Sequence, residues 1–248
     1  MKITLTTDSL KGYGLNRIFE FAKELGFDGI DLVLDKNDLD TLDPEYIAKL
    51  SSTTEIPVLA VQALDNAKEK DLEEAVTMAK KVNAKVIVIQ PPKILDRKYA
   101  AWLKKEVPNI RKKENISIAL ENAPNKMWLG FIPERAMNNL SELKRFKHAC
   151  LDTARVAEKK EDLMYAYGSL QKFLVHVHIS NFYRNKGYQV LTKGNLPLES
   201  FISKLASDGF KGALSIKIKP NYLKVRDRAE MFKLLKESKE FIEKFAKA

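Results

Sequence analysis

Short apolar runs alternate with longer stretches in which apolar residues recur every three or four positions, from one end of the chain to the other. The short runs lie at 2–6, 28–34, 56–62, 85–90, 116–121, 147–152, 173–179 and 213–218 and read as β-strands. The periodic stretches lie at 15–25, 44–52, 67–82, 133–145, 154–171, 198–208 and 225–246, with a weaker one near 96–106, and read as amphipathic helices. Strand–helix alternation of this kind predicts βαβ units and a parallel sheet. The run Ile116-Ser117-Ile118-Ala119-Leu120 is apolar on nearly every position, as a strand covered on both faces requires. Gly26 and Gly209 follow helical patterns directly and serve as helix stops.

Eight such units within 248 residues favour a closed barrel over an open sheet, so the expected fold is α/β, a single (β/α)8 TIM barrel. No linker or low-complexity tract divides the chain, and 1–248 is expected to form one domain. The hydrophobic fraction of 45% allows a sizeable core. The single Cys150 excludes an internal disulfide and suits a reducing compartment. With neither a leader-like start nor a membrane-length apolar run, a cytoplasmic location is expected. The net charge of +10 raises a nucleic-acid or phosphate partner, yet the lysines are interspersed with acids, as in Lys233–Glu240, which reads as solvated helix surface.

Barrel chemistry collects at the C-terminal ends of strands. Those ends carry Asp8, Asp31, Gln62, Gln90, Glu121 with Asn122, Asp152, His178 with Asn181, and Lys217 with Lys219. Two carboxylates and an imidazole on three successive strands, Glu121, Asp152 and His178, form a potential divalent-metal constellation; a set of rim ion pairs is the alternative. His176 shares a strand face with His178 and reads as a hydrogen-bonded core or rim histidine. Trp128 follows Glu121 in a loop and suits a lid over a sugar ring or a simple anchor. Arg184 and Lys193, in the loop after His178, could grip a phosphate or carboxylate.

The segments Gly26-Phe27-Asp28-Gly29-Ile30-Asp31-Leu32, Ala119-Leu120-Glu121-Asn122, Leu151-Asp152 and Val177-His178-Ile179-Ser180-Asn181 resemble the xylose isomerase-like TIM barrel superfamily. Lys193-Gly194-Asn195-Leu196-Pro197-Leu198-Glu199 and Gly209-Phe210-Lys211-Gly212-Ala213-Leu214-Ser215-Ile216 extend the resemblance to the last strand. The superfamily holds sugar isomerases and epimerases as well as enzymes of the endonuclease IV type. The resemblance implies a metal held by Glu121, Asp152, His178 and a strand-eight Glu, whose place here is taken by Lys217. A His expected three residues after Asp152 is Arg155. The expected cofactor is therefore one divalent metal (Mn, Mg or Zn) or none, with Lys217 or Arg155 occupying its place. The expected partner is a small carbohydrate or sugar phosphate, bound by Gln62, Gln90, Asn122, Trp128, Arg155, Asn181, Arg184 and Lys193, with Glu121 and Lys217 catalytic. A non-catalytic barrel that binds a small anion or a partner is the alternative. Endonuclease IV-like repair fits less well, because the chain has three His and places Gln62 and Gln90 near the usual His positions.

Overall fold

Strands that are buried on both faces need a helix outside and packed side chains inside, and the chain supplies both. A computed structural model describes residues 1–124 and 126–247, with the side chain of Trp128 outside the described set. The strands are β1 (Lys2–Thr6), β2 (Gly29–Val33), β3 (Val58–Gln62), β4 (Val86–Ile89), β5 (Ser117–Glu121), β6 (Ala149–Asp152), β7 (Leu174–Ile179) and β8 (Ala213–Ile216). They pair in parallel and close through the β1–β8 contact, in which Lys2 faces Ala213 and Leu5 faces Ile216. The expected (β/α)8 barrel is present.

Around it run α1 (Leu15–Glu24), α2 (Pro44–Thr54), α3 (Glu69–Lys81), α4 (Arg97–Glu114), α5 (Leu140–Phe146), α6 (Thr153–Glu158), α7 (Leu163–Leu170), α8 (Leu198–Ser207) and α9 (Arg228–Ala246). Their apolar faces and the outward strand residues make one continuous core that includes Phe19, Leu72, Leu103 and Phe201. Inside the barrel the apolar content shrinks to a small cluster of Val88, Ala119 and Cys150. Polar side chains share the lumen with it, Thr4, Asp31, Glu121, His176, His178 and Ser215 among them.

Three helical stretches differ from the periodicity reading. The stretch 133–145 begins at the last residue of a two-stranded ribbon, Met127–Trp128 against Ile132–Pro133, and becomes helical only at Leu140, where the Asn139 side chain accepts from the Glu142 amide. The stretch 154–171 is two helices, because Lys160 turns left-handed (φ 56°) and Asp162 caps a fresh start by accepting from the Tyr165 amide. The weak signal near 96–106 is the front of α4, which continues through Pro108 while Tyr99, Leu103 and Val107 stay buried at i, i+4 and i+8. Gly26 and Gly209 end their helices with positive φ of 65° and 70°, as expected of helix stops.

Truncation of the wholly buried Phe19 tests the packing of the helix layer. Phe19→Ala is expected to lower unfolding stability by about 3–5 kcal/mol in urea denaturation, by lost burial and a residual cavity.

Candidate active site

Non-neighbouring strands can touch only across the lumen, and polar side chains make those contacts here. Asp31 on β2 reaches two histidines on β7, with Oδ2 3.0 Å from His176 Nε2 and 2.9 Å from His178 Nε2. His178 Nδ1 meets Glu121 Oε1 from β5. Gln62 Oε1 on β3 accepts from Lys217 Nζ just beyond β8 at 2.7 Å. Below, Ser215 Oγ joins His176 Nε2 at 3.0 Å and Thr4 Oγ1. All of these residues are buried.

Arg155 completes the network from α6. Asp152 ends β6 and caps α6, its Oδ1 accepting from the Arg155 amide at 3.0 Å. That turn brings the guanidinium over the barrel mouth. Its Nη1 donates to Glu121 Oε2 and to the Asn122 carbonyl, and its Nε donates to the Tyr188 hydroxyl at 2.9 Å. Tyr188 in turn donates to Asp152 Oδ2 at 3.3 Å. Tyr188 lies on a ribbon, Asn181–Tyr183 against Lys186–Gln189, that packs on α6. Gly187 permits that approach, since a Cβ there would lie 3.1 Å from the Ala154 Cβ. The Tyr188 backbone is left-handed (φ 62°), which is uncommon for a bulky residue.

Burial alone would raise the Glu121 carboxyl, but Arg155, Lys217 and His178 outweigh it and hold the group well below its ordinary range. Burial likewise opposes charge on Asp31, and His176 and His178 override it to keep the carboxyl low. Burial disfavours an imidazolium at His178, yet carboxylates on both ring nitrogens raise its pKa well above the ordinary value. His176 is shifted down, because burial, helped by the neighbouring His178, outweighs Asp31 and Glu121. Asp152 is raised by burial and by Glu121 against the pull of Arg155. Lys217 is raised because Glu121 and Asp8 outweigh its burial. Asp31, Glu121 and Asp152 therefore stand against His178, Arg155 and Lys217, and the cluster closes near neutrality with side chains alone.

The metal set implied by the resemblance does not fit this arrangement. Among the described residues, the groups whose donor atoms lie within 4.8 Å of one another are Asp31, His176 and His178, and Glu121, Cys150 and His178. Asp152 joins neither, so Glu121, Asp152 and His178 are not one ligand cluster. The donor atoms are also engaged: Glu121 by Arg155 and His178, Asp152 by Arg155 and Tyr188, His178 by Asp31 and Glu121. Burial pushes the Cys150 thiol up to about 11, which keeps it protonated at neutral pH. Lys217 Nζ is 3.8 Å from Glu121 Oε1. A dication ~4 Å from that ammonium would be repelled by about 4 kcal/mol at an effective dielectric of ~20. The guanidinium of Arg155 supplies the counter-charge instead.

A cavity of about 640 Å³ opens over this cluster, lined in part by Asp8, Gln62, Gln90, Glu121, Arg155, Tyr188, Lys217 and Lys219. Of the residues expected to bind substrate, Gln62, Gln90 and Arg155 line it; Gln90 also donates to Asp65 at 2.6 Å. Asn122 and Asn181 do not line it. The Asn122 side chain is spent tying β5 to Asp152, accepting from its amide at 2.7 Å and donating to its carbonyl at 3.1 Å. The Asn181 side chain shapes its own loop, accepting from Phe182 and Leu196 amides and donating to the Leu191 carbonyl. Arg184 and Lys193 are exposed and outside the cavity lining, with Arg184 stacked on Tyr183. The side chain of Trp128 lies outside the described residues. Tyr188 and the reach of Asp31 to His178 were not foreseen; a tyrosine on a short ribbon outside the barrel carries no periodic signal, and Asp31, named among the strand-end polar residues, gave no sign of its partner.

The pH dependence follows from signs. The low carboxyl of Glu121 contributes stability present above its ordinary value of 4.5 and lost as pH falls through its folded value. The raised imidazole of His178 contributes stability present below its ordinary value of 6.5 and lost as pH rises through its folded value. Nitrogen NMR at pH 7 is expected to show both ring nitrogens of His178 protonated; a neutral tautomer would contradict the clamp. Arg155→Ala, which leaves Glu121 buried without its main counter-charge, is expected to cost about 3–5 kcal/mol in denaturant unfolding. Manganese titrated into chelator-stripped native protein is expected to give no saturable heat at micromolar concentration.

The comparisons with known proteins agree with the fold. A family model described as a xylose isomerase-like TIM barrel matches residues 19–244. An uncharacterized protein of Mycobacterium leprae (strain TN) is 23% identical over 273 residues, covering 97% of this chain and 96% of that one. The crystal structure of a D-tagatose 3-epimerase-like protein superposes with a TM-score of 0.73 at 20% identity, covering 100% of this chain and 99% of that one. A xylose isomerase domain containing protein from Salmonella typhimurium LT2 gives 0.76 at 14% identity, with 97% of each chain covered. The IolI protein, solved with a bound zinc atom, gives 0.71 at 17% identity over 99% of each chain. By the extent of the family match and a closed barrel of eight parallel strands, the chain belongs to the xylose isomerase-like TIM barrel family.

Proposed function

We propose that the protein acts on a small carbohydrate or sugar phosphate in the barrel mouth, moving a proton next to a carbonyl as isomerases and epimerases do, without a resident metal. One observation carries this reading: a buried carboxylate, Glu121, and two buried cations, Arg155 and Lys217, line the floor of one cavity of sugar size. Proton abstraction beside a carbonyl leaves negative charge on oxygen, and preorganised cations stabilise that charge most where water is excluded. Lys217, kept protonated by Glu121 and Asp8, would donate to the developing oxyanion. Glu121 would take the proton. A carboxylate held so low is a weak base, so the rate would rest on cationic stabilisation of the enediolate rather than on base strength.

Binding without turnover is the second reading. Its support is that both Glu121 oxygens are engaged, by Arg155 and by His178. Phosphodiester cleavage lacks comparable support, because Gln62 and Gln90 stand at the ends of β3 and β4 where such chemistry needs metal ligands.

Ketoses and ketose phosphates incubated in heavy water report proton transfer directly, as loss of the C–H signal beside the carbonyl. Exchange is expected with the native protein, and Glu121→Gln is expected to slow it by about 100-fold or more. Exchange that survives the substitution would refute Glu121 as the base. Binding without exchange would favour the second reading.

A further inference from the structure

The floor of the cavity holds more hydrogen-bond donors than the protein uses. A lysine ammonium only donates, so the Gln62 oxygen must face Lys217, as the 2.7 Å contact has it. The amide nitrogen of Gln62 is thereby turned away, and it is a buried donor without a partner on a residue only 7% exposed. Leaving such a donor unsatisfied is costly. Lys217 Nζ carries three N–H groups and makes one hydrogen bond, since Glu121 Oε1 at 3.8 Å is beyond bonding distance. Arg155 uses Nε and Nη1, while among the described residues Nη2 has no hydrogen-bond partner. Spare acceptors are scarcer: Asp8 Oδ1 is buried and unpartnered. Gln62, Lys217, Arg155 and Asp8 line the same cavity.

We infer that the ligand of this barrel is an acidic sugar, whose carboxylate or phosphate oxygens rest on Gln62 Nε2, Lys217 Nζ and Arg155 Nη2. Its location in the mouth rests on the function proposed above; its charge does not. A neutral hydroxyl donates as well as accepts, whereas an anionic oxygen group only accepts and so meets several donors at once. Asp8 Oδ1 is left to take a sugar hydroxyl. Lys219 adds long-range attraction: it is exposed on the cavity wall, its Nζ lies 5.2 Å from the Tyr188 ring centre, and among the described residues no carboxylate pairs with it. The neighbouring lysines Lys217 and Lys224 do have acidic partners.

Equilibrium calorimetry with D-gluconate, D-fructose 6-phosphate and neutral D-fructose tests the charge without requiring turnover. At least one acid is expected to bind about tenfold more tightly than fructose, with the margin shrinking as salt is added. Which acid wins separates a carboxylate from a phosphate ligand. Gln62→Glu keeps an acceptor for Lys217 but removes the spare donor and adds negative charge, so it is expected to erase the margin. Lys219→Ala, a change of an exposed side chain, is expected to weaken the acid about threefold and leave fructose unaffected, which keeps the test open if the first variant misfolds. Fructose binding as tightly as both acids, no binding of either acid up to ~10 mM, or an unchanged margin in a folded Gln62→Glu protein would each overturn the inference. Tight acid binding without proton exchange would leave it standing and count against catalysis.

Discussion

The ion pair between Arg155 and Glu121 is the contact on which the rest of the site depends. A buried carboxylate is costly unless its charge is answered at close range, and removing one partner of such a pair hurts more than the pair itself contributes. Glu121 stays ionised because Arg155, Lys217 and His178 surround it, and His178 stays protonated because Asp31 and Glu121 hold its two nitrogens. Each charge is the condition for the next. The arrangement works as a unit, reaching from β2 across the lumen to β7, β5 and α6.

That unit explains why the barrel interior is so polar. Among the described residues the apolar cluster there is small, Val88, Ala119 and Cys150 with Val86 and Val175 against them, whereas the helix-facing side of the strands carries the main core. Stability is concentrated outside the barrel wall, and the inside is given to hydrogen bonds. A polar network in low dielectric rigidifies its members when all are satisfied and is expensive when they are not. Asp31 Oδ1 and His176 Nδ1 are unpartnered within the network, and Gln62 Nε2 and Asp8 Oδ1 are unpartnered on residues that line the cavity.

The fold was legible because burial on both faces leaves an unmistakable strand pattern, and eight repeats of it admit few closures. Local breaks were harder to see. The late start of α5 and the split between α6 and α7 depend on single capping side chains, Asn139 and Asp162, which interrupt periodicity without changing it. At the site, strand-end position alone singled out Glu121, Gln62 and Lys217, and the contrast with the resemblance singled out Arg155. What could not be read was partner choice. Asn122 and Asn181 sit at the right places but spend their amides on backbone, and Tyr188 arrives from a ribbon whose approach to α6 depends on its chain neighbour Gly187.

That ribbon has one further consequence. Tyr188 braces the guanidinium from a loop outside the barrel wall, so the counter-charge of the site is part tether and part brace. A metal centre can be loaded and emptied by its surroundings. A side chain with its own strut cannot. The counter-charge that Arg155 brings is therefore set when the loop folds, while the charges on Glu121 and His178 still answer to the pH of the medium.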